Sequence, residues 1–408
     1  MLLRRLIAAM LAAGVSVLPA NAADPPLHPD LDTGDLRRAG PFYYRPYLLL
    51  KALGYDDNVF FDGAEPVADV TAALAPGIDL LLRTGPRGGL RVNQEFDYVA
   101  FAEYSGENHW NSHTEVRGIY VPKYFRLVLD GQYHTVRERP NLEINERIRQ
   151  DTTLLQAMIG SPADRRLGIE MQLGRETFRY TEGAYYEITR RRLSRDQDTL
   201  SLTGTVRLLP KTYLVVTGSL LNADYVYPEE RRDSRFDSAV VGLRFAPTAR
   251  IQGHFEVGPA RFHALDREND DYRSYVGEVE LSGRIGRANR LSAWFRRGID
   301  ASALEDNLFF LSRRGSLGYE RFFTPRVSLA LEVGDGANRY PNRTLLREPE
   351  PRVGTRVDRI REYEGMVYYR FRDGLTLNVG VTHLEVDSTD DALDRRQNLV
   401  AVGTTALF

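Results

Sequence analysis

Apolar and polar residues alternate one by one along much of the chain. The alternation is regular in LTLNVGVTH (375–383), RLGIEMQLG (166–174), YVGEVELSG (275–283) and RVSLALEV (326–333). Successive side chains of a β-strand point to opposite faces, so this pattern predicts strands with one apolar and one polar face. Many runs are about ten or more residues long, whereas strands of soluble proteins cluster near five or six. They recur along the whole chain, and no segment between them shows helical periodicity.

Short and long connections alternate between the predicted strands. Short turns are predicted at 84–89, 121–123, 161–164, 209–212, 246–249, 286–289, 323–325 and 372–374. Longer polar loops are predicted at 54–67, 104–110, 136–150, 178–195, 225–234, 262–271, 300–306, 335–358 and 385–394. Short periplasmic turns, long extracellular loops and an even strand number are typical of bacterial outer-membrane barrels. The sequence therefore predicts an all-β fold, a transmembrane antiparallel β-barrel of about 18 strands.

The N-terminal segment has a basic start, an apolar run and a small-residue Ala20-Asn21-Ala22 site. That order predicts a cleaved secretory signal peptide. A membrane anchor helix is the weaker interpretation, because the apolar run is short. The predicted boundaries are a signal peptide at 1–22, a short periplasmic N-terminal extension at 23–42 and the barrel at 43–408.

The C-terminal sequence NLVAVGTTALF (398–408) alternates like a strand and ends on Phe408. In a barrel it must pair with the first strand, predicted at 43–53, because lipid leaves no sheet edge unpaired. A final aromatic residue on such a strand resembles the C-terminal signal that the outer-membrane barrel assembly machinery reads. We therefore expect Phe408 to be an assembly signal, and we expect outer-membrane lipid and that machinery to be partners.

Composition narrows the class further. The chain has no cysteine, so neither disulfides nor thiol chemistry support it. Loss of Arg4 and Arg5 with the signal peptide moves the formal charge from −2 to about −4, which is nearly neutral and argues against nucleic-acid binding. No apolar stretch after the signal approaches the length of a membrane helix. The predicted location is the outer membrane of a Gram-negative cell.

The polar faces of the predicted strands carry charges of both signs. If the apolar faces meet lipid, these charges line the lumen, where water or a partner charge stabilises them. The predicted lumen-lining residues are Arg91, Glu95, Asp97, Arg126, Asp130, Glu170, Arg207, Arg244, Glu256, Glu278, Glu280, Arg296, Glu332, Glu364 and Arg370. A barrel of this size is wide enough for an aqueous channel. The pattern fits a charged, hydrated conduit, and it also fits a salt-bridge mesh that fills the lumen.

The histidines give no sign of a catalytic or metal site. His109 and His113 in HWNSH are four residues apart. On a strand that spacing separates them by roughly 13 Å, too far to share a metal. His254 and His383 are expected at inward positions, but no serine motif such as G-x-S-x-G accompanies them. We therefore expect no catalytic residue, no metal ligand, no cofactor and no enzymatic activity.

One segment, LGYDDNVFF (53–61), resembles a known family. It is similar to the G-Y-D-D-N-V-F/Y segment that opens barrels of the "Putative beta-barrel porin 2" family, with matches at Gly54, Asp56, Asp57 and Asn58. Members are often associated with export of exopolysaccharide or capsule. The resemblance implies a polysaccharide conduit that works with separate periplasmic polysaccharide-export proteins. Asp-Asp-Asn is also ordinary turn chemistry, because short polar side chains hydrogen-bond their own backbone.

Two other functions fit the same pattern. One is a general or small-solute diffusion porin, and the other is a structural or adhesion barrel whose surface loops are functional. A diffusion porin usually carries one long loop folded inward as a constriction. The longest predicted loop, 335–358, is the candidate for that constriction or for an external lid.

Overall fold

The computed structural model is a closed antiparallel β-barrel of 18 strands, with one extra short strand before it. It describes residues 33–34, 36–162, 165–182, 186–246, 250–266, 271–346 and 352–408. The predicted signal peptide lies outside the described residues, as does most of the predicted extension at 23–42. The predicted fold class and strand number are confirmed.

The strands follow one another around the barrel in chain order. The extra strand β1 is Arg37–Ala39, and the barrel strands β2 to β19 are Phe42–Asp56, Asp69–Gly85, Gly88–Phe101, His109–Tyr120, Arg126–Glu138, Ile148–Gly160, Leu167–Glu182, Arg195–Leu209, Thr212–Tyr225, Ser234–Phe245, Ile251–Ala264, Tyr272–Ile285, Asn289–Ala301, Phe309–Phe322, Val327–Leu346, Arg352–Arg372, Leu375–Ser388 and Arg395–Leu407. A single α-helix within the described ranges, α1 (Tyr186–Leu193), occupies the β8–β9 connection. No helix among these residues is long and apolar enough to cross a membrane.

The short connections lie at one end of the barrel, where the sequence predicts tight turns. Gly286 and Gly374 adopt φ values of 68° and 80°, and Lys211 adopts 64°. Glycine is favoured in this left-handed region because it has no Cβ to clash with the backbone. Parts of two predicted turns, 163–164 and 247–249, lie outside the described residues.

The barrel closes where β19 pairs antiparallel with β2. The register runs from Leu399 opposite Asp56 to Leu407 opposite Tyr47, with one irregularity between Val402 and Thr404. The last strand therefore has a hydrogen-bonded neighbour on each side, and neither β2 nor β19 is left as an open edge in lipid.

The predicted long loop at 335–358 is mostly strand. β16 and β17 pair through this region, from Asp335 opposite Arg361 to Leu346 opposite Arg352. One of its three prolines, Pro341, lies where the register shifts between Arg339 and Arg343. A bulge absorbs a residue that cannot donate to the ladder, so the pairing continues beyond it. Only 347–351, outside the described residues, separates the two strands.

Buried apolar side chains gather at the long-loop end of the barrel. One cluster contains Val59, Val99 and Phe101, and a second contains Phe61, Ile360 and Val386. Farther along the strands toward the short-turn end, many apolar side chains point outward instead, and Leu331 and Val379 are each 45% exposed. The apolar interior is therefore built at the mouth, where loop residues such as Val59 and Phe61 pack against side chains at the ends of strands.

Candidate functional site

Each predicted lumen residue lies on the strand face opposite the exposed apolar side chains. Glu332, for example, stands between the exposed Leu331 and Val333 and pairs across the strands with Glu364. The same alternation holds for the other predicted lumen positions, from Arg91 in β4 to Arg370 in β17. That these residues decide what passes stays a prediction.

The wall formed by β2 to β5 is charge-matched. Asp79, 3% exposed, accepts a hydrogen bond of 2.8 Å from Nε of Arg91. Lys51 Nζ lies 2.7 Å from carboxylate oxygens of both Glu95 and Asp97. Such pairing offsets the cost of removing the charges from water. In this region the lumen wall consists of the paired charges that the salt-bridge interpretation predicts.

Ion pairs continue along the wall as far as β8. Arg126 donates to Glu170 at 2.6 Å, and Arg117 donates to Asp130 at 2.5 Å. Arg117 is not among the sequence-predicted residues. Its inward position follows from its register with Arg91 and Asp130.

The opposite wall, from β11 onward, is arranged differently. Arg244 faces His254 across the strands, and Glu280 faces Trp294. Glu256 and Glu278 lie directly opposite each other, two acids side by side. Around Glu256 and Glu278 the lumen wall therefore has separated charges, whereas nearer the short turns Arg290 and Glu320 pair at 3.2 Å.

The structure pairs two histidines that the sequence analysis did not bring together. Nδ1 of His113 and Nδ1 of His134 are 3.1 Å apart on β5 and β6. Counting inward positions back from the turn at 121–123 places both histidines on the lumen face, but it does not place them opposite each other. His383 corrects an expectation, because it lies on the outward face with Val381, where it contacts the ring of Tyr363.

Among the residues that the structure describes, two groups of histidine and carboxylate side chains are close enough to share an ion: Glu95, Asp97 and His113, and His254, Glu278 and Glu280. In the first group the ammonium of Lys51 already lies between the two carboxylates. That group is therefore charge-satisfied without a metal. The absence of metal, cofactor and catalytic roles stays a prediction.

The connection between β6 and β7, residues 139–147, folds into the barrel mouth, and we call it the inward loop. Its apolar residues supply the reason. Leu142 packs against the cluster of Phe61, Ile360 and Val386. Ile144 packs against a separate cluster that includes Ile148. Burial of apolar surface favours this inward position over exposure to water.

The far end of the inward loop is attached across the mouth. Glu143 accepts hydrogen bonds of 2.6 Å from Oγ of Ser302 and from the backbone N–H of Ala303. These two residues belong to the β14–β15 connection, nearly opposite β6 and β7 in the strand order. Burial raises the pKa of Glu143, while the two hydrogen bonds and the charge of Arg356 oppose the shift. The carboxyl group therefore attaches the loop in a strongly desolvated place.

Three arginines hold the near side of the inward loop. Arg139 and Arg147 both donate to the carbonyl oxygen of Val59, at 2.7 and 2.5 Å. Arg395, at the start of β19, donates to the carbonyl of Leu142 and to Asn145. Burial, together with the charges of Arg147 and Arg395, lowers the pKa of Arg139. The acceptors are mainly backbone carbonyls, so the loop conformation itself is what these guanidinium groups stabilise.

The sequence from residue 35 to 408 matches the model of a known family, described as "Putative beta-barrel porin 2". The chain belongs to this family. Its members are described as porins, and this chain is accordingly an outer-membrane porin-like barrel. No curated protein sequence matches the chain.

Two solved structures with a similar fold come from Pseudomonas aeruginosa. OccK2 (OpdF) in complex with glucuronate has 12% identity and a TM-score of 0.52, covering 90% of this chain and 98% of its own. OpdK with vanillate has 12% identity and a TM-score of 0.51, covering 90% of this chain and 99% of its own. At this identity the likeness establishes the barrel fold alone.

The family segment at 53–61 lies at the seam where the barrel closes. A Cβ on Gly54 would overlap the carbonyl oxygen of Val400 on β19, so the close approach of the strands requires glycine. Asp57 accepts hydrogen bonds from the backbone N–H and the side-chain amide of Asn398, at 2.6 and 2.5 Å. Asn58, 2% exposed, donates to the carbonyl of Arg396 at 2.8 Å. The segment therefore joins the first strand to the last.

The same segment also receives the inward loop. Asn58 closes the β2–β3 connection on itself, because its Oδ1 accepts from the backbone N–H of Asp62 at 2.9 Å. Val59 follows directly and is fully buried, and its carbonyl accepts from Arg139 and Arg147. The turn chemistry expected for Asp-Asp-Asn is present, and it supports both the seam and the loop.

Proposed function

We propose that the barrel is a small-solute channel of the outer membrane and that the inward loop forms its constriction. The observation that carries this proposal is the attachment of Glu143 to Ser302 and Ala303, almost diametrically across the mouth. A loop fixed on both sides of an 18-strand barrel divides the entrance into narrower openings. Small solutes can pass such openings more readily than an extended polymer.

The charged lumen walls beyond the inward loop support the hypothesis that the transported solutes are polar. Inward charges need water or a partner, and the β11–β17 wall offers acids that solutes can reach. The fold likeness supports the same class, since OccK2 is bound to glucuronate and OpdK to vanillate, both small carboxylates. The likeness suggests the class of solute and leaves its sign of charge to experiment.

Planar-bilayer conductance tests the proposal. Glu143→Ala removes the attachment across the mouth, and replacing residues 140–146 with a short Gly-Ser linker removes the constriction. Both changes should raise the single-channel conductance above that of the wild type. Glu305→Ala is the matched control, because Glu305 is an exposed acid in the same β14–β15 connection and pairs with Arg192.

Two results would contradict the proposal. A folded wild-type barrel that conducts no ions is not a channel. Equal conductance of the wild type, Glu143→Ala and the linker variant would mean that the inward loop does not narrow the path.

Export of exopolysaccharide is the second candidate, and the family segment supports it. Deletion of the gene should then abolish secreted polysaccharide, with rescue by the wild type and not by a variant with bulky residues at Gly380 and Thr382. Normal secretion combined with poor growth on small solutes would favour the solute channel. If the protein neither conducts ions nor affects polysaccharide secretion, the hypothesis of a structural or adhesion barrel remains.

A further inference from the structure

A cavity of about 310 Å³ opens from the lumen into the wall between β10 and β15. Its lining includes Tyr225, Glu256, Phe262, Glu278, Arg296 and Phe309. Sites for small molecules occupy roughly 300–1,000 Å³, so the cavity is large enough for a compact solute. We call it the wall cavity.

A row of charges that crosses the wall cavity is ordered by sign, and its last member, Arg314, lies beyond the cavity lining. Cross-strand pairing places Glu256 opposite Glu278, Glu278 opposite Arg296, and Arg296 opposite Arg314. The row therefore reads acid, acid, base, base across four strands. Like charges directly opposite each other destabilise a sheet, so this order is not explained by strand stability.

These charges are not neutralised as those of the other wall are. Within the described part of the chain, neither Glu256 nor Glu278 forms an ion pair with an arginine. Glu278 lies 3.8 Å from His254, and Arg296 reaches only Asp300, at 3.9 Å. On β2 to β5, by contrast, Lys51 closes on its carboxylates at 2.7 Å.

Aromatic side chains form the other part of the cavity lining. The rings of Phe262 and Phe309 have centroids 4.4 Å apart, and both residues are buried. Tyr272 packs against Phe309 at 5.4 Å. The apolar surface therefore lines the same cavity as the acids and arginine, with Phe262 six residues along β12 from Glu256.

We propose that the wall cavity binds small zwitterions that carry an apolar side chain, such as aromatic amino acids. The ammonium group lies between Glu256 and Glu278, the carboxylate lies at Arg296, and the side chain packs against Phe262 and Phe309. A single zwitterion places its ammonium group beside two acids that pair with no arginine among the described residues, and its carboxylate at an arginine whose ion-pair partner, Asp300, is 3.9 Å away. This assignment rests on the proposed function, because the solute reaches the cavity through the lumen.

Binding is measured on the refolded, full barrel in detergent micelles. Trp294 lies on the inward face of β14, two residues before Arg296, and reports binding by fluorescence once Trp110 is replaced in Trp110→Phe. The probes are L-phenylalanine, phenethylamine and 3-phenylpropionate, with isothermal titration calorimetry as the second readout. L-Phenylalanine should bind at least about tenfold more tightly than either singly charged analogue, because each analogue lacks one of the two charge-assisted interactions.

Charge-removing variants separate the two ends of the site. Glu256→Gln with Glu278→Gln should weaken L-phenylalanine about tenfold or more and should leave 3-phenylpropionate unweakened. Arg296→Gln should weaken L-phenylalanine and leave phenethylamine unweakened. Glu115→Gln with Glu362→Gln is the control, since both acids face inward and neither lines the cavity.

The outcomes distinguish this assignment from the proposed function. Equal affinity for all three probes, or equal loss in the control variant, overturns the zwitterion site. If the barrel conducts ions but does not bind L-phenylalanine, the proposed channel function stands and the zwitterion site in the wall cavity is wrong. If the barrel binds L-phenylalanine but does not conduct ions, the zwitterion site stands and the proposed channel function is wrong.

Discussion

Outward-facing residues of the strands meet hydrocarbon, so their chemistry is strongly constrained. Val379 is 45% exposed on the outward face of β18, and its neighbour Asn378 lies on the inward face. Alternation alone predicted this facing, because a strand has a period of two and a shift of one residue would reverse every side chain.

We predict unequal effects of arginine at these two neighbours. Val379→Arg should lower the free energy of unfolding by roughly 2–4 kcal/mol near the bilayer midplane, because a charge then faces lipid. Asn378→Arg should cost much less, because water hydrates a charge on the inward face. Urea unfolding of the barrel in lipid vesicles measures both. Equal losses would mean that the facing of β18 is wrong.

Individual contacts inside the lumen were harder to predict than facing. The sequence placed Glu95 and Asp97 on the inward side, but their shared partner Lys51 comes from another strand. The contact between His113 and His134 likewise depends on the register of β5 with β6. Register is set by turn geometry and packing across strands, which a single sequence does not specify to the residue.

At the scale of elements, one buried carboxyl group makes the hydrogen bonds that attach the inward loop across the mouth. Burial raises the pKa of Glu143 above its value in an exposed loop, roughly 4.3. An acid with a raised pKa in the docked state stabilises docking fully below the exposed pKa. That contribution is lost as the pH rises through the docked pKa, because the buried group must then ionise.

Channel recordings across this pH range test that linkage. The wild type should show fewer loop-opening transitions near pH 4.5 and more as the pH rises toward neutrality. Glu143→Gln keeps the shape of the side chain and its carbonyl acceptor but cannot ionise, so its transitions should vary less with pH. An identical pH dependence in both proteins would assign the effect to another group.

Turns and loops differed in how far the sequence could define them. The tight turns followed from local residues, such as Gly374 with its positive φ. The long loop expected at 335–358 was wrong for most of its length, because a bulge at Pro341 lets β16 and β17 continue. The inward loop was identified only as a polar connection at 136–150. Its apolar Leu142 and Ile144 were the available signal, but their packing partners are distant in sequence.

At the scale of the whole molecule, the residues that close the barrel between β2 and β19 also hold the inward loop that shapes its mouth. Asp57 and Asn58 hydrogen-bond to β19, and Val59 beside them receives Arg139 and Arg147. The first strand, the last strand and the inward loop are therefore completed together. Because β19 is the last strand of the barrel in sequence, the seam forms only when the C-terminal strand pairs.

Phe408 lies at the short-turn end of that seam, and we predict that it supports assembly more than stability. Its backbone N–H donates to the carbonyl of Pro46 at 2.9 Å, a bond that substitution retains. Its ring is 52% exposed, so little packing is lost when it is removed. Phe408→Asp should therefore lower the amount of folded barrel in the outer membrane while barrel refolded in vitro keeps nearly the wild-type stability.

Heat-modifiable migration on gels measures the amount of folded barrel, and urea unfolding measures its stability. Leu407→Asn, a change at the adjacent strand residue, is the control. Wild-type amounts of folded Phe408→Asp barrel in cells would show that the terminal aromatic ring carries no assembly information.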